Sequence, residues 1–199
     1  MQQSPQGANG ETNVAPDAPT QSAEELEACF TAAYNLLVGK QTVHWFNRLP
    51  RKKGPIAGSM ALEASADGDG VWKWTATDPA GGKSFRAFEN RISGSTHTER
   101  AFDASGAVTE ESTSRVVSCN QNDGGYEYVE LYTDSDKDNV GGETWELRGV
   151  WEVSKGMFRG TSTGLPEGAS GEPVWVSSVI SLPLAATPTE ASSEKPDAR

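Results

Sequence analysis

A chain of 199 residues is the length of one domain with tails, and a hydrophobic fraction of 35% leaves part of that length outside any packed core. The formal charge of −11 offers phosphates no electrostatic footprint, which excludes a general nucleic-acid binder. No apolar run reaches the roughly 18 residues that mark a membrane-spanning helix, so no transmembrane segment is expected.

Residues 1 to 21 are Gln, Pro, Thr, Ala and Asn in the main, too polar to offset their ordering entropy by burial, and are expected to form a disordered tether. Ser22 with Glu25 has the spacing of a capping box and opens a helix expected to run to about Val38. Leu26, Cys29, Phe30, Ala33 and Leu37 fall on one stripe, which docks on a larger body and carries Cys29 into the contact.

From Gln41 the period changes to two. Strands are expected around Val43 to Leu49, Met60 to Ala64, Val71 to Ala76, Ser84 to Ile92, Thr96 to Asp103 and Val108 to Cys119. On the next, Tyr126, Tyr128 and Tyr132 share one face and Val129 and Leu131 the other; Val174 to Leu182 makes the last, and residues 184 to 199 form a disordered tail. About ten strands at short regular spacing signal a sandwich or a barrel.

The clearest stretch is Glu143 to Gly164. Trp145, Leu147, Gly149, Trp151 and Val153 alternate with polar residues, and Lys155-Gly156 supplies a tight turn. If Ser154 pairs with Met157, then Val153 meets Phe158 inside, Glu152 meets Arg159 outside, and the Trp151 ring covers Gly160.

Gly160-Thr161-Ser162-Thr163-Gly164 spells the hydrolase G-x-S-x-G, but inside a hairpin strand and not on a strand-to-helix elbow, so no catalytic serine is assigned. Asp134, Asp136 and Asp138 stand at alternate positions, resembling the first half of an EF-hand or thrombospondin-type calcium loop. Asn139 replaces the usual Gly and Trp145 the closing Glu, so calcium is a weak candidate and a solvated turn the plainer reading. The two histidines, His44 and His97, lack acidic or thiol neighbours at ligand spacing and are read as isolated strand residues. Arg48, Arg51, Lys52 and Lys53 form the one basic cluster, either a solvated loop or a site for an anionic head. The six tryptophans all lie on expected strands; Trp45, Trp72, Trp74, Trp145 and Trp151 either pack a core or line a ligand cavity. With Val43, Leu62, Val129, Leu131 and Val176 they make up the expected inward set, which is aromatic and aliphatic.

Cys29 and Cys119 allow a single disulfide. An even cysteine count and a polar N-terminal segment favour a periplasmic or secreted chain whose signal Met1 has replaced; a cytoplasmic chain is the other reading.

An N-terminal helix followed by about ten up-and-down strands resembles the calycin group, the lipocalin-like β-barrels. Leu36-Leu37-Val38-Gly39 leading to Trp45 resembles the helix-to-strand entry of such families, where a Gly-x-Trp motif plugs the barrel floor, although here five residues separate Gly39 from Trp45. Glu99 to Ser105 resembles a short segment of the lipocalin-like bilin lyases. The resemblance implies a mainly β protein, one antiparallel barrel over residues 22 to 183, holding a small apolar or amphipathic ligand such as a lipid, a fatty acid or a tetrapyrrole. An interaction module of the cell envelope with a filled barrel is the alternative, and bilin-lyase-like chromophore handling comes third.

Overall fold

The computed structural model describes residues 21–48, 55–68, 70–77, 86–135, 140 and 142–184. The expected tether but for Gln21, the expected tail but for Leu184, the Arg51–Lys53 cluster, Asp136 and Asp138 lie outside the described residues.

Helix α1 spans Ala23–Asn35 and begins as the sequence dictates: Ser22 accepts from the Glu25 amide at 3.2 Å, and the Glu25 carboxylate accepts from the Ser22 amide at 2.8 Å. It ends three residues short of Val38. The amides of Leu36 and Leu37 turn back onto Ala33 and Tyr34, and the Gln41 side chain donates to the Leu37 carbonyl. Gly39, at φ 129°, then starts the first strand.

Ten antiparallel strands follow: β1 Gly39–Arg48, β2 Pro55–Ala66, β3 Val71–Ala76, β4 Ala87–Ser93, β5 Thr96–Phe102, β6 Val108–Asn122, β7 Gly125–Asp134, β8 Trp145–Ser154, β9 Met157–Pro166 and β10 Val174–Pro183. Each pairs with its neighbours in sequence, and β10 closes on β1, giving one up-and-down barrel. Closure leaves no sheet edge to protect.

The β8–β9 hairpin has the expected register, with Ser154 opposite Met157, Val153 opposite Phe158, Glu152 opposite Arg159 and Trp151 opposite Gly160. Outside, Arg159 Nε donates to Glu152 at 2.7 Å. Inside, Trp151 stacks on Phe158 at 5.1 Å, and a Cβ placed on Gly160 would lie 2.1 Å from the Trp151 ring. Only glycine admits that indole.

The two barrel ends differ. At one, tight turns at Gly94, Gly124 and Gly156 join the strands, and α1 lies across them. Glu27 accepts from the Gly94 amide at 2.5 Å, and the Leu36 carbonyl accepts from the Gly156 amide at 2.8 Å. Leu26, Phe30, Ala33 and Tyr34 of α1, with Leu37 just beyond its end, are buried against Leu62, Ala64, Trp72, Ile92, Val116 and Tyr128 of the barrel. Each large side chain on this face contributes roughly 1.5–3 kcal/mol by leaving water, so α1 is a packed plug and not an appendage. Cys29 and Cys119 form the disulfide that ties the plug to β6. Beside it, the Gln21 amide donates to the Cys119 carbonyl at 2.7 Å and accepts from the Cys119 amide at 2.9 Å. The other end carries the longer connections β1–β2, β3–β4, β5–β6, β7–β8 and β9–β10.

Cross-strand partners share a face, and this corrects part of the expected inward set. Tyr126, Tyr128, Glu130 and Tyr132 of β7 pair with the inward Val153, Trp151, Gly149 and Leu147 of β8. Val129 and Leu131 pair with Val150 and Arg148 and lie on the outer face. Both faces of β7 are rich in large side chains, and the tyrosines win the interior because their hydroxyls find partners there: Tyr128 meets Tyr34 at 3.2 Å and Tyr132 meets Ser162 at 2.6 Å.

Candidate functional site

The five tryptophans singled out in the sequence face inward but do different work. Trp72 belongs to the floor, where its indole donates to Asn35 at 3.0 Å and its ring lies 5.0 Å from Tyr34. It takes the plugging place that the lipocalin resemblance gave to Trp45. Trp45 stands further up β1, opposite Gly58 and Val179, with its ring over Gly58. Trp74 packs edge-on to Tyr34 at 5.6 Å. Trp145 joins Val140, Leu147 and Val176 in a second, smaller core. Trp151 spans Gly149 and Gly160. The sixth, Trp175, is on the outer face and donates to Ser178 at 2.7 Å. Arg48 is the last residue of β1, at the end away from α1, and Asp134 is the last of β7.

Sequence reasoning missed a polar network just above the plug. His97 is not an isolated strand histidine. It is buried with both ring nitrogens engaged: Nδ1 lies 3.1 Å from Glu130 Oε2 and Nε2 lies 2.7 Å from Asn90 Oδ1. Ser114 Oγ donates to the same Glu130 oxygen at 2.6 Å. Phe30 of the plug touches the imidazole face, with ring centres 4.9 Å apart. Burial works to raise the Glu130 pKa, but the hydrogen bond and charge of His97, with help from Ser114, outweigh it and hold the carboxyl below its ordinary value. Glu130 is therefore an anion inside the barrel. His44 is remote from this network; it is on the opposite parity of β1 from the inward Val43 and Trp45.

The signal for the network was present in the alternation. On β5, His97, Glu99 and Ala101 share a face, and on β7 Glu130 is in phase with Tyr128 and Tyr132. What the sequence hides is that three strands bring residues 97, 114 and 130 together.

This arrangement is not an acyl-transfer relay. Ser114 Oγ lies 3.3 Å from His97 Nδ1, the same nitrogen that faces Glu130. A serine–histidine–acid relay needs the serine and the acid on opposite ring nitrogens. Ser162 sits within β9 and bonds to Tyr132, as its strand context predicted. Among the described residues no three His, Cys, Asp or Glu side chains converge to hold a metal.

Above the network the interior changes character. Glu99 faces inward, paired with Asn90 on β4 and Ser112 on β6, yet its surface is exposed to solvent. Protein surrounds it closely all the same: desolvation raises its pKa, with Glu130 and Glu110 adding to the rise and His97 and Asn90 opposing it. Its side chain reaches solvent from an inward-facing strand position, as the width of a ten-stranded barrel permits. One step further up, Glu110 faces Ala101 on the same wall, next to Phe88 and Trp74 of β4 and β3. The segment that resembles the bilin lyases leaves the lumen at Asp103. That carboxylate accepts from the Ser105 and Ala107 amides at 2.8 and 3.0 Å and builds the β5–β6 turn.

No protein-family model matches the chain, and no curated protein matches it. Among solved structures, the crystal structure of Rv2717c from M. tuberculosis is 11% identical, with 77% of this chain and 96% of that one covered and a TM-score of 0.47. The LolA superfamily protein NE2245 from Nitrosomonas europaea is 12% identical, with 85% and 96% covered and a TM-score of 0.29. Both overlaps are loose, and the barrel stands on its own strand pairing.

Proposed function

We propose that the protein binds a small amphipathic molecule in the open half of its barrel, between the buried His97–Glu130 network and the long loops. The observation that supports this reading is Glu99, enclosed by strands and still wetted. A closed antiparallel barrel with one end plugged is a receptacle with a single mouth. The mixed lining favours a ligand with polar as well as apolar groups. Fatty acids, lipids and tetrapyrrole carboxylates, which an apolar lumen with a basic mouth would suit, are weakened as candidates where Glu99 and Glu110 line the wall. The disulfide between plug and barrel supports an oxidising, extracytoplasmic setting.

The test is a native mass spectrum of freshly purified protein, followed by titration of the tryptophan emission with a panel that includes oleate and haem. A co-purifying mass or saturable micromolar quenching with a raised melting temperature is expected for a ligand carrier. If no mass co-purifies and no ligand moves either signal, the reading fails and an interaction module with a filled barrel replaces it.

A further inference from the structure

We infer that the outer wall formed by β10, β1 and β2 is a surface through which two copies of this chain pair about a two-fold axis. Between Lys40 and Arg48, the outward positions of β1 are Thr42, His44 and Phe46. Neither these residues nor their partners on β10 and β2 include Asp, Glu, Lys or Arg. Elsewhere the outside carries ion pairs, such as Arg100 with Glu111 at 2.7 Å and Arg159 with Glu152 at 2.7 Å. Of the six large apolar side chains left exposed among the described residues, Val38, Phe46, Leu182 and Leu184 lie on or beside β1 and the end of β10. Contiguous apolar exposure of this kind marks an interaction surface. On a chain of charge −11, it is also where two copies can approach without setting like charges face to face.

The remaining chain is a poor cover for this wall. Residues 185–199 contain no Val, Ile, Leu, Met or aromatic residue, and residues 1–20 contain only Met1 and Val14 of that class. The register favours a second copy. At equal heights β1 carries the larger outward residues and β2 the smaller, His44 opposite Ser59 and Thr42 opposite Ala61. A two-fold axis along the strands, between β1 and β2, sets β1 of each copy over β2 of the other, so bulk meets hollow twice. One step toward the plug, Lys40 and Glu63 are cross-strand partners and both exposed, yet neither is ion-paired among the described residues. The same axis brings each Lys40 to Glu63 of the other copy, which makes the rim complementary to itself. Phe46 is the apolar anchor, and Leu182 flanks it on the neighbouring strand. Three strands about 4.8 Å apart over eight residues give a wall of roughly 14 by 27 Å, at the small end for an interface, so the pairing is reversible.

Sedimentation equilibrium of the full-length chain, from about 5 to about 200 µM, is expected to show a 21.2 kDa monomer passing to twice that mass, with a dissociation constant on the order of 10 µM. Phe46→Ser should raise that constant by about tenfold or more at an unchanged monomer melting temperature, because the ring is 41% exposed in the single copy. Lys40→Glu and Glu63→Lys should each weaken pairing by about as much alone, since each sets like charges together twice. Their equimolar mixture should pair again within about threefold of the parent. Mixing mends a contact between copies and not one within a copy, so its recovery separates the two readings. A chain that stays at 21.2 kDa throughout, a dimer indifferent to Phe46→Ser, or a mixture that does not pair overturns the inference. Flotation with phosphatidylcholine vesicles in the absence of self-association would give the wall to a lipid surface and overturn it as well.

Discussion

Removing the Cys29–Cys119 link should lower stability by several kcal/mol without changing the fold. The two residues are 90 positions apart, and a cross-link closing a loop of that length withdraws about 4.6 kcal/mol of chain entropy from the unfolded state at 25 °C. The native contacts that dock α1 do not depend on the sulfurs. Phe30 stacks on Tyr34 at 4.2 Å, Tyr34 meets Tyr128, and Gln21 clamps the backbone of Cys119. A Cys29→Ala/Cys119→Ala double variant should therefore keep its far-UV spectrum and its near-UV tryptophan signature. Against a typical total of about 5–15 kcal/mol, the loss makes it marginal at physiological temperature. Urea titration, read by tryptophan emission, should show a lower midpoint and a somewhat larger m-value, since the unlinked unfolded chain exposes more surface. A loss below about 1 kcal/mol with unchanged m would refute the reasoning, because the unfolded chain would then be no freer without the link.

Trp151→Ala should cost about 3–5 kcal/mol in the same titration, since the indole packs on Phe158 and Tyr128 and covers Gly149 and Gly160; a cost under 1 kcal/mol would contradict that packing. Glu130 is held below its ordinary pKa of 4.5 in the folded state, so it contributes stability above that value and loses the contribution as pH falls through the lowered one. Glu130→Gln should therefore be less stable than the parent at neutral pH, and the gap should narrow below about pH 4.5; a gap independent of pH between 3 and 7 would show that the His97 pair is not what the residue supplies.

The legible parts of this fold are those where one local rule decides. The capping box fixes where α1 begins, and the Lys155-Gly156 turn fixes the β8–β9 register down to Trp151 over Gly160. Strand number follows from turn spacing, and the single cysteine pair leaves one pairing for the disulfide. The interior was less legible because alternation sorts residues into two faces without saying which is inside. On β7 hydrophobicity alone favours Val129 and Leu131 for the interior, whereas the structure turns the tyrosines inward, where Tyr128 and Tyr132 find Tyr34 of α1 and Ser162 of β9, and buries Val129 on the outer face. On β5, Thr-His-Thr-Glu-Arg-Ala reads as a polar outer strand, and His97 gains its meaning only when Ser114 and Glu130 arrive from β6 and β7. Long-range pairing of polar groups leaves no periodic mark.

The two halves of the interior solve opposite problems with the same residue type. Glu130, beside the aromatic plug, has little access to water, and an unpaired carboxylate there would cost several kcal/mol; His97 and Ser114 make it tolerable by supplying charge and hydrogen bonds. Glu99, two positions beyond His97 on the same inner face of β5, keeps contact with water, while desolvation, Glu130 and Glu110 raise its pKa and His97 and Asn90 oppose the rise. Any molecule that enters the upper barrel displaces that water. An apolar or anionic occupant would then leave Glu99 desolvated, and either its proton or its ligand must compensate.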